Sequence, residues 1–134
     1  MICIQTDGQE NSSTEHSWNE LNALLKEKAA LGWQFNFMGV GIDAYDQGAR
    51  MGIAPAATVA YDHRDPQATR AVFAASAENT RDYALGRCAR PVYAEKQKRA
   101  AGDRYAPAGS SAGSTSAKSS KWELKKGIVD DINL

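Results

Sequence analysis

Basic and aromatic side chains alternate in the C-terminal half of the chain, a combination that suits nucleic acid because cations bind phosphates and rings stack on bases. The cations are Arg87, Arg90, Lys96, Lys98, Arg99 and Arg104, and the rings are Tyr93 and Tyr105. Glu95 and Asp103 dilute the positive charge of this stretch. Three interpretations stay open: a nucleic-acid contact, a surface that folds onto the rest of the chain, and a contact with a protein partner.

Reactive side chains are too scattered along the chain to form a catalytic cluster. Cys3 lies in an apolar run that would bury its thiol, and Cys88 lies in a basic run. Their spacing suits neither a metal site nor a disulfide framework. His16 and His63 have no Cys or His near them at ligand spacing. We therefore expect no enzymatic activity and no cofactor.

Apolar side chains return at the C-terminus after a stretch that is poor in them. Residues 106–121 are mostly Ser, Ala, Gly, Thr and Lys, which predicts a flexible linker. Residues 122–134 then supply Trp122, Leu124, Ile128, Val129 and Ile132. We expect this amphipathic segment to dock on the protein's own body or on another chain.

Strand and helix patterns alternate through the first 86 residues. Strands are predicted at 1–6, 33–40 and 57–61, and helices at 12–31, 43–51 and 65–85. The first helix is expected to begin near Ser12, which stands three residues before Glu15 in the spacing of a capping box. Asp65 and Pro66 favour the start of the last helix, since Asp caps helices well and Pro is tolerated in a first turn.

The alternation predicts an α/β fold, in which a short parallel three-stranded sheet is flanked by helices. The predicted organisation is an α/β domain over 1–86, a basic extension over 87–105, the linker over 106–121 and the docking segment over 122–134. The net charge is zero, but residues 1–86 hold 6 Lys and Arg against 11 Asp and Glu. An acidic body therefore carries a basic tail.

Several short motifs of this domain occur in a recognisable order. An apolar strand ends at Thr6-Asp7-Gly8, and an aromatic strand later closes at Gly39-Val40-Gly41. The stretches QTDGQEN at 5–11, GWQF at 32–35 and MGI at 51–53 accompany them. Together they resemble the C-terminal half of von Willebrand factor A domains, which have a Rossmann-like α/β fold, and particularly the bacterial and phage members of that family.

The resemblance implies a position for Asp7 in a metal-ion-dependent adhesion site. In the family, this aspartate helps to hold a divalent cation at the carboxyl edge of the sheet, and the other ligands come from segments that precede this half. One carboxylate, even with Asn11 or Asp43, supplies too few oxygen ligands for tight Mg²⁺ binding. The resemblance therefore implies an incomplete metal site, or an adhesion fragment that another chain completes.

The resemblance also implies that the strand at 1–6 has lost its neighbour and exposes an unpaired edge. A second copy of the chain, the tail or a host protein could cover that edge, since edge pairing is a common mode of recognition. We expect a homodimer, and a half-domain of phage or mobile-element type would bind and inhibit a host protein. Proline in place of Ile2 or Ile4 is expected to abolish the pairing.

Protein–protein interaction is thus the expected function, with two candidate surfaces. One is the loop edge that contains Asp7, Gln9, Glu10, Asn11 and Asp43, and the other is the first strand together with residues 122–134. No apolar run is long enough to cross a bilayer, and the N-terminus lacks the pattern of a signal peptide. We therefore expect a cytoplasmic protein without a membrane partner.

Overall fold

The computed structural model describes residues 1–8, 14–41 and 43–110 of the 134. The strands are β1 (Ile2–Gln5), β2 (Phe35–Val40) and β3 (Thr58–Tyr61), and the helices are α1 (Trp18–Ala30), α2 (Ala44–Arg50), α3 (Pro66–Ala84) and α4 (Glu95–Ala100). A single 3₁₀ turn at Pro55–Ala57 leads into β3. The element order agrees with the one predicted from the sequence.

The three strands form one parallel sheet in the order β1-β2-β3. In register, Ile4 lies opposite Phe37, and Phe37 in turn lies opposite Thr58. This arrangement confirms the predicted fold class of a short parallel sheet flanked by helices. It also makes β2 the central strand, so that β1 and β3 are the two edges.

Alternation along β2 divides the core into two halves. Phe37 packs in one cluster with Leu25 of α1, with Ala44 of α2 and with Met51, the residue that follows α2. Its neighbour Met38 points to the opposite face. There it joins the second cluster, whose buried members are Met38, Val59, Tyr61, Val72, Ala75, Tyr93 and Ala101. Helices α1 and α2 therefore cover one face of the sheet, and α3 covers the other.

The start of α1 differs from the prediction. The helix begins at Trp18, and its capping box joins Ser17 to Glu20 rather than Ser12 to Glu15. The Glu20 carboxylate accepts from Ser17 N at 2.6 Å, and Ser17 Oγ accepts from Glu20 N at 3.2 Å. Both serines have the Ser-x-x-Glu spacing, so spacing alone did not distinguish them. Ser12 lies outside the described residues.

The segment after Gly86 belongs to the folded unit, whereas the sequence analysis ended the α/β domain at that residue. Tyr93 and Ala101 are both 0% exposed within the second core cluster. Tyr93 N donates to Ala56 O at 2.9 Å, which ties the segment to the turn before β3. The apolar residues of a basic stretch therefore complete the core, while many of its charged residues stay at the surface.

None of the helices in the described parts of the chain is both long and apolar enough to cross a membrane.

A substitution at Gly39 tests the close packing of α2 on β2. A Cβ added there would lie 2.7 Å from Ala44 Cβ and 3.0 Å from Ala44 Cα. We expect Gly39→Ala to lower the free energy of unfolding by about 1–3 kcal/mol, because overpacking a core forces the backbone to shift. Urea denaturation followed by circular dichroism measures the change.

Gly8→Ala is the matched control, since a Cβ added at Gly8 meets no described atom within 4 Å. It should change the free energy of unfolding by less than about 0.5 kcal/mol. Equal effects of the two substitutions would contradict the proposed close approach of α2 to β2.

Candidate functional site

The two edges of the sheet are finished in different ways. At the β3 edge, Ala60 N donates to Asp103 Oδ2 at 3.0 Å, and Asp62 N donates to Ala101 O at 3.0 Å. The chain that follows α4 therefore takes the place of a fourth strand. Because these donors are occupied, they are not available to pair with another chain.

The carboxylate of Asp103 connects four groups at this edge. Oδ2 accepts from Ala60 N and from the Tyr45 hydroxyl at 2.5 Å, and Oδ1 accepts from Tyr105 N at 2.9 Å and Ala106 N at 3.0 Å. Burial raises the pKa of Tyr45, and the neighbouring Asp103 carboxylate raises it further. Tyr45 therefore stays protonated and serves as a permanent donor to Asp103.

Lys98 adds a buried cation behind the same edge. Its side chain is almost fully enclosed, with 2% exposure, and Nζ donates to Pro55 O at 2.9 Å and Ser110 Oγ at 3.2 Å. The ammonium also lies 5.2 Å from the centre of the Tyr45 ring. Burial lowers the pKa of Lys98 to about 8, against a smaller opposing effect of Asp103.

The β1 edge, in contrast, is open. Ile2 N donates to Gln34 O at 2.8 Å and Thr6 N donates to Met38 O at 3.0 Å, so even-numbered residues of β1 face β2. In a parallel strand the intervening residues face away, which turns the backbone N–H and C=O of Cys3 and Gln5 outward. No described residue forms a hydrogen bond with these four groups. We call them the open edge.

A groove lies on each side of the open edge. The α1-side groove, of about 680 Å³, is lined mainly by Ile4, Trp18, Leu21, Leu24, Phe37 and Met51. The α3-side groove, of about 570 Å³, is lined mainly by Cys3, Met38, Phe73, Ala77 and Ala84. Leu24 is 48% exposed and Phe73 is 45% exposed. Both helices thus present apolar side chains beside a strand that has no outer neighbour in the described part of the chain.

Cys3 is exposed because it lies on an edge strand, whereas the sequence analysis expected its thiol to be buried. The thiol nevertheless faces the hydroxyl groups of Ser76 and Tyr93, and desolvation raises its pKa. These two hydroxyl oxygens lie 2.8 Å apart. A thiol with a raised pKa is a weak nucleophile at neutral pH, so the geometry favours packing over catalysis at Cys3.

The predicted loop-edge residues are only partly described. Asp7 is exposed just after β1, and Asp43 lies at the N-terminus of α2, whereas Gln9, Glu10 and Asn11 fall outside the described residues. Among residues 1–8, 14–41 and 43–110, no three His, Cys, Asp or Glu side chains converge on one point.

The predicted basic patch is divided by the fold. Arg87 pairs with Asp82 at 3.2 Å, and Arg99 pairs with Glu95 at 2.7 Å. Lys98 is buried behind β3 and is not placed to reach a phosphate. The other three predicted contacts differ in exposure: Lys96 and Arg104 are exposed, and Arg90 is half-buried. Of the two rings proposed for stacking, Tyr93 is buried and Tyr105 is 43% exposed.

The predicted docking residues Trp122, Leu124, Ile128, Val129 and Ile132 lie outside the described residues. Neither the role of Asp103 at the β3 edge nor the burial of Lys98 was predicted from the sequence. Gly102, with φ of +74°, ends α4, and Asp103 Oδ1 accepts from the backbone two and three residues later. A Gly-Asp pair after a helical pattern is therefore the local signal that marks Asp103 as a turn residue.

Comparison with protein-family models, with curated proteins and with solved structures found no match to this chain.

Removal of the Asp103 carboxylate tests its role in closing the β3 edge. We expect Asp103→Ala to lower the free energy of unfolding by about 2–3 kcal/mol, because it leaves partly buried donors without an acceptor. Chemical denaturation measures this change. Asp46→Ala is the control, since Asp46 forms an exposed ion pair with Arg50 at 3.0 Å and should contribute less than about 1 kcal/mol. Similar losses in both variants would contradict the role of Asp103.

A pH series tests the burial of Lys98. Because its pKa falls from 10.5 to about 8 on folding, the folded chain binds fewer protons than the unfolded chain between these values. The contribution of Lys98 to the free energy of unfolding should therefore rise with pH across this window. Lys98→Met keeps an apolar stem but cannot titrate, so the variant should lack this rise.

Urea denaturation of both proteins at several pH values from 7.5 to 10 measures the difference. Cys3, Tyr45 and Tyr93 have raised pKa values and act in the opposite direction at high pH. They are present in both proteins and cancel in the comparison. Identical pH dependence in the two proteins would show that the Lys98 ammonium is not buried.

Proposed function

We propose that the chain is a protein–protein interaction module that binds an extended segment as an additional strand at the open edge. The observation that carries this proposal is the asymmetry of the sheet. The N–H groups at the β3 edge are occupied by Asp103 and Ala101, while the outward backbone groups of Cys3 and Gln5 have no hydrogen-bond partner among the described residues. Unpaired strand edges are sites at which other chains add a strand.

The chemistry around the open edge indicates what kind of segment it accepts. Residues 1–6 have no charged side chain, and the adjoining parts of both grooves are largely apolar. A strand buried on both faces is apolar at successive positions and does not alternate with polar residues. The partner segment is therefore an uncharged, extended stretch with apolar side chains on both faces.

The two kinds of contact make different contributions. Four main-chain hydrogen bonds stabilise a complex by about 1 kcal/mol each and are indifferent to sequence. Each apolar side chain that fills a groove adds about 1.5–3 kcal/mol. Backbone pairing thus sets the position of the partner strand, and contacts with Leu24 and Phe73 decide which sequences bind.

The orientation of the backbone groups of β1 decides which proline substitution tests edge pairing. Proline at Ile2 would remove the N–H that donates to Gln34, and Ile4 faces β2 in the same way. Either change breaks the sheet itself, so the proline test expected from the sequence is not selective. The outward N–H of Gln5 has no described partner, and proline is tolerated on the free side of an edge strand.

Gln5→Pro should therefore abolish strand addition and leave the fold intact. Gln5→Ala is its matched control, because both substitutions lose the bond from Gln5 Nε2 to the Tyr61 hydroxyl at 3.0 Å, while alanine keeps the outward N–H. Peptides selected from a random displayed library for binding to the wild-type chain are then measured against both variants by fluorescence anisotropy.

The peptides should bind the Gln5→Ala chain and lose at least about tenfold in affinity for Gln5→Pro, the equivalent of one or two hydrogen bonds. Circular dichroism and the thermal midpoint verify that both variants fold. Peptides that bind Gln5→Pro as tightly as Gln5→Ala would contradict strand addition at β1, and a selection that yields no binders would contradict recognition of foreign strands.

A further inference from the structure

We infer that the open edge pairs with β1 of a second copy of this chain, antiparallel and centred on Ile4, to give a closed dimer with a continuous six-stranded sheet. This inference rests on the proposed function and names its partner.

The outward backbone groups select the register. In an antiparallel pair, residues whose groups face each other exchange two hydrogen bonds, and they alternate with pairs that exchange none. When Ile4 lies opposite Ile4 of the second copy, Cys3 faces Gln5 of that copy and Gln5 faces its Cys3. All eight outward groups of the two Cys3 and two Gln5 residues are then satisfied.

The neighbouring two-fold registers fit less well. A pair centred on Cys3 would place Gln5 opposite Met1, which precedes the strand Ile2–Gln5. A pair centred on Gln5 would place Cys3 opposite Asp7, which lies beyond the strand and carries a charge. Only the Ile4-centred register keeps every hydrogen-bonded pair within β1.

The side chains of β1 do not oppose self-pairing. Edge strands that avoid such pairing usually carry a charged residue, a proline or a bulge. Ile2–Gln5 contains none of these, and Ile4 would meet another Ile4 across the two-fold axis. Identical uncharged strands therefore pair without electrostatic repulsion.

The closed β3 edge explains why assembly would end at two copies. If both edges were open, added chains would extend the sheet without limit. Asp103 and Ala101 occupy the donors of β3, so each copy has one open edge. A self-complementary contact between two such edges is closed by a two-fold axis.

The grooves supply the surface that strand pairing alone lacks. A stable interface buries about 800 Å² on each partner. A pair of strands of four residues each buries less than this area. A two-fold axis normal to the sheet places the α1-side grooves of both copies on one face and the α3-side grooves on the other. Leu24 and Phe73, each nearly half exposed, thereby lie beside the seam and contribute apolar surface.

Site-directed disulfide formation tests the register in the full-length chain. Cα atoms of a non-hydrogen-bonded antiparallel pair lie about 4.5 Å apart, within the range of a disulfide. We expect Ile4→Cys, with Cys3 and Cys88 replaced by Ser, to form a covalent species of twice the 14.5 kDa chain mass under mild oxidation. A chain that keeps only Cys3 should form little, because diagonal positions are about 7–8 Å apart.

Light scattering of the unmodified chain keeps the test independent of that substitution. The wild-type and Gln5→Ala chains should have twice the 14.5 kDa mass, and Gln5→Pro should have the mass of one chain. The dimer would be overturned, and the proposed function left standing, if the wild-type chain is a monomer that still binds peptides whose affinity falls in Gln5→Pro. This outcome includes a monomer whose own residues 111–134 cover the edge.

The remaining outcomes also decide between the hypotheses. A dimer that resists Gln5→Pro would overturn the β1 interface. Efficient coupling of the chain that keeps only Cys3, without coupling of the Ile4→Cys variant, would overturn the register. Failure of peptide binding together with a dimer that is lost in Gln5→Pro would contradict recognition of foreign strands while supporting self-pairing.

Discussion

The carboxylate of Asp103 is the contact on which the arrangement of the sheet depends. A parallel sheet of three strands has two edges, and each would otherwise present unpaired donors and acceptors. By accepting from Ala60 N and from the Tyr45 hydroxyl, Asp103 closes one edge and ties it to α2. Since Ala101 beside it lies in the second core cluster, the same short segment joins both layers of helices. Of the two edges, β1 alone has outward N–H groups without a hydrogen-bond partner among the described residues.

The closed β3 edge contains the buried ammonium group of Lys98, and neighbouring groups stabilise its charge. A buried ammonium is unfavourable unless it is paired or bonded, and Lys98 meets this requirement with Pro55 O, Ser110 Oγ and the face of Tyr45. Burial lowers the pKa of Lys98 to about 8 even with these partners. The closed edge is thus held by groups that act together, since Tyr45 contacts both Asp103 and Lys98.

Local patterns predicted the fold, whereas long-range contacts determined the candidate site. Asp65 and Pro66 marked the start of α3 correctly, because capping depends on neighbours in sequence. Asp103 acts on Ala60 and Tyr45, which lie 43 and 58 residues away, and no periodicity carries that information. Lys98 resembled the surface cations around it for the same reason. The unpaired edge of the first strand was predicted from the family resemblance. The exposure of Cys3 could not be predicted without the order of the strands, because it depends on β1 being at the edge of the sheet.

The residues proposed to bind a partner and the residues that close the other edge therefore lie on opposite edges of one narrow sheet. Cys3 and Gln5 present the hydrogen-bonding groups, and Leu24 and Phe73 border the grooves that would read side chains. None of these four residues hydrogen-bonds to Asp103, yet Asp103 limits the proposed strand addition to the β1 edge. Loss of the Asp103 carboxylate would leave Ala60 N at the β3 edge without its acceptor. Strand pairing would then be possible at both edges of each chain and would permit an open-ended array instead of a pair. The stoichiometry of the proposed dimer would in this sense be set by the β3 edge, which does not take part in the pairing.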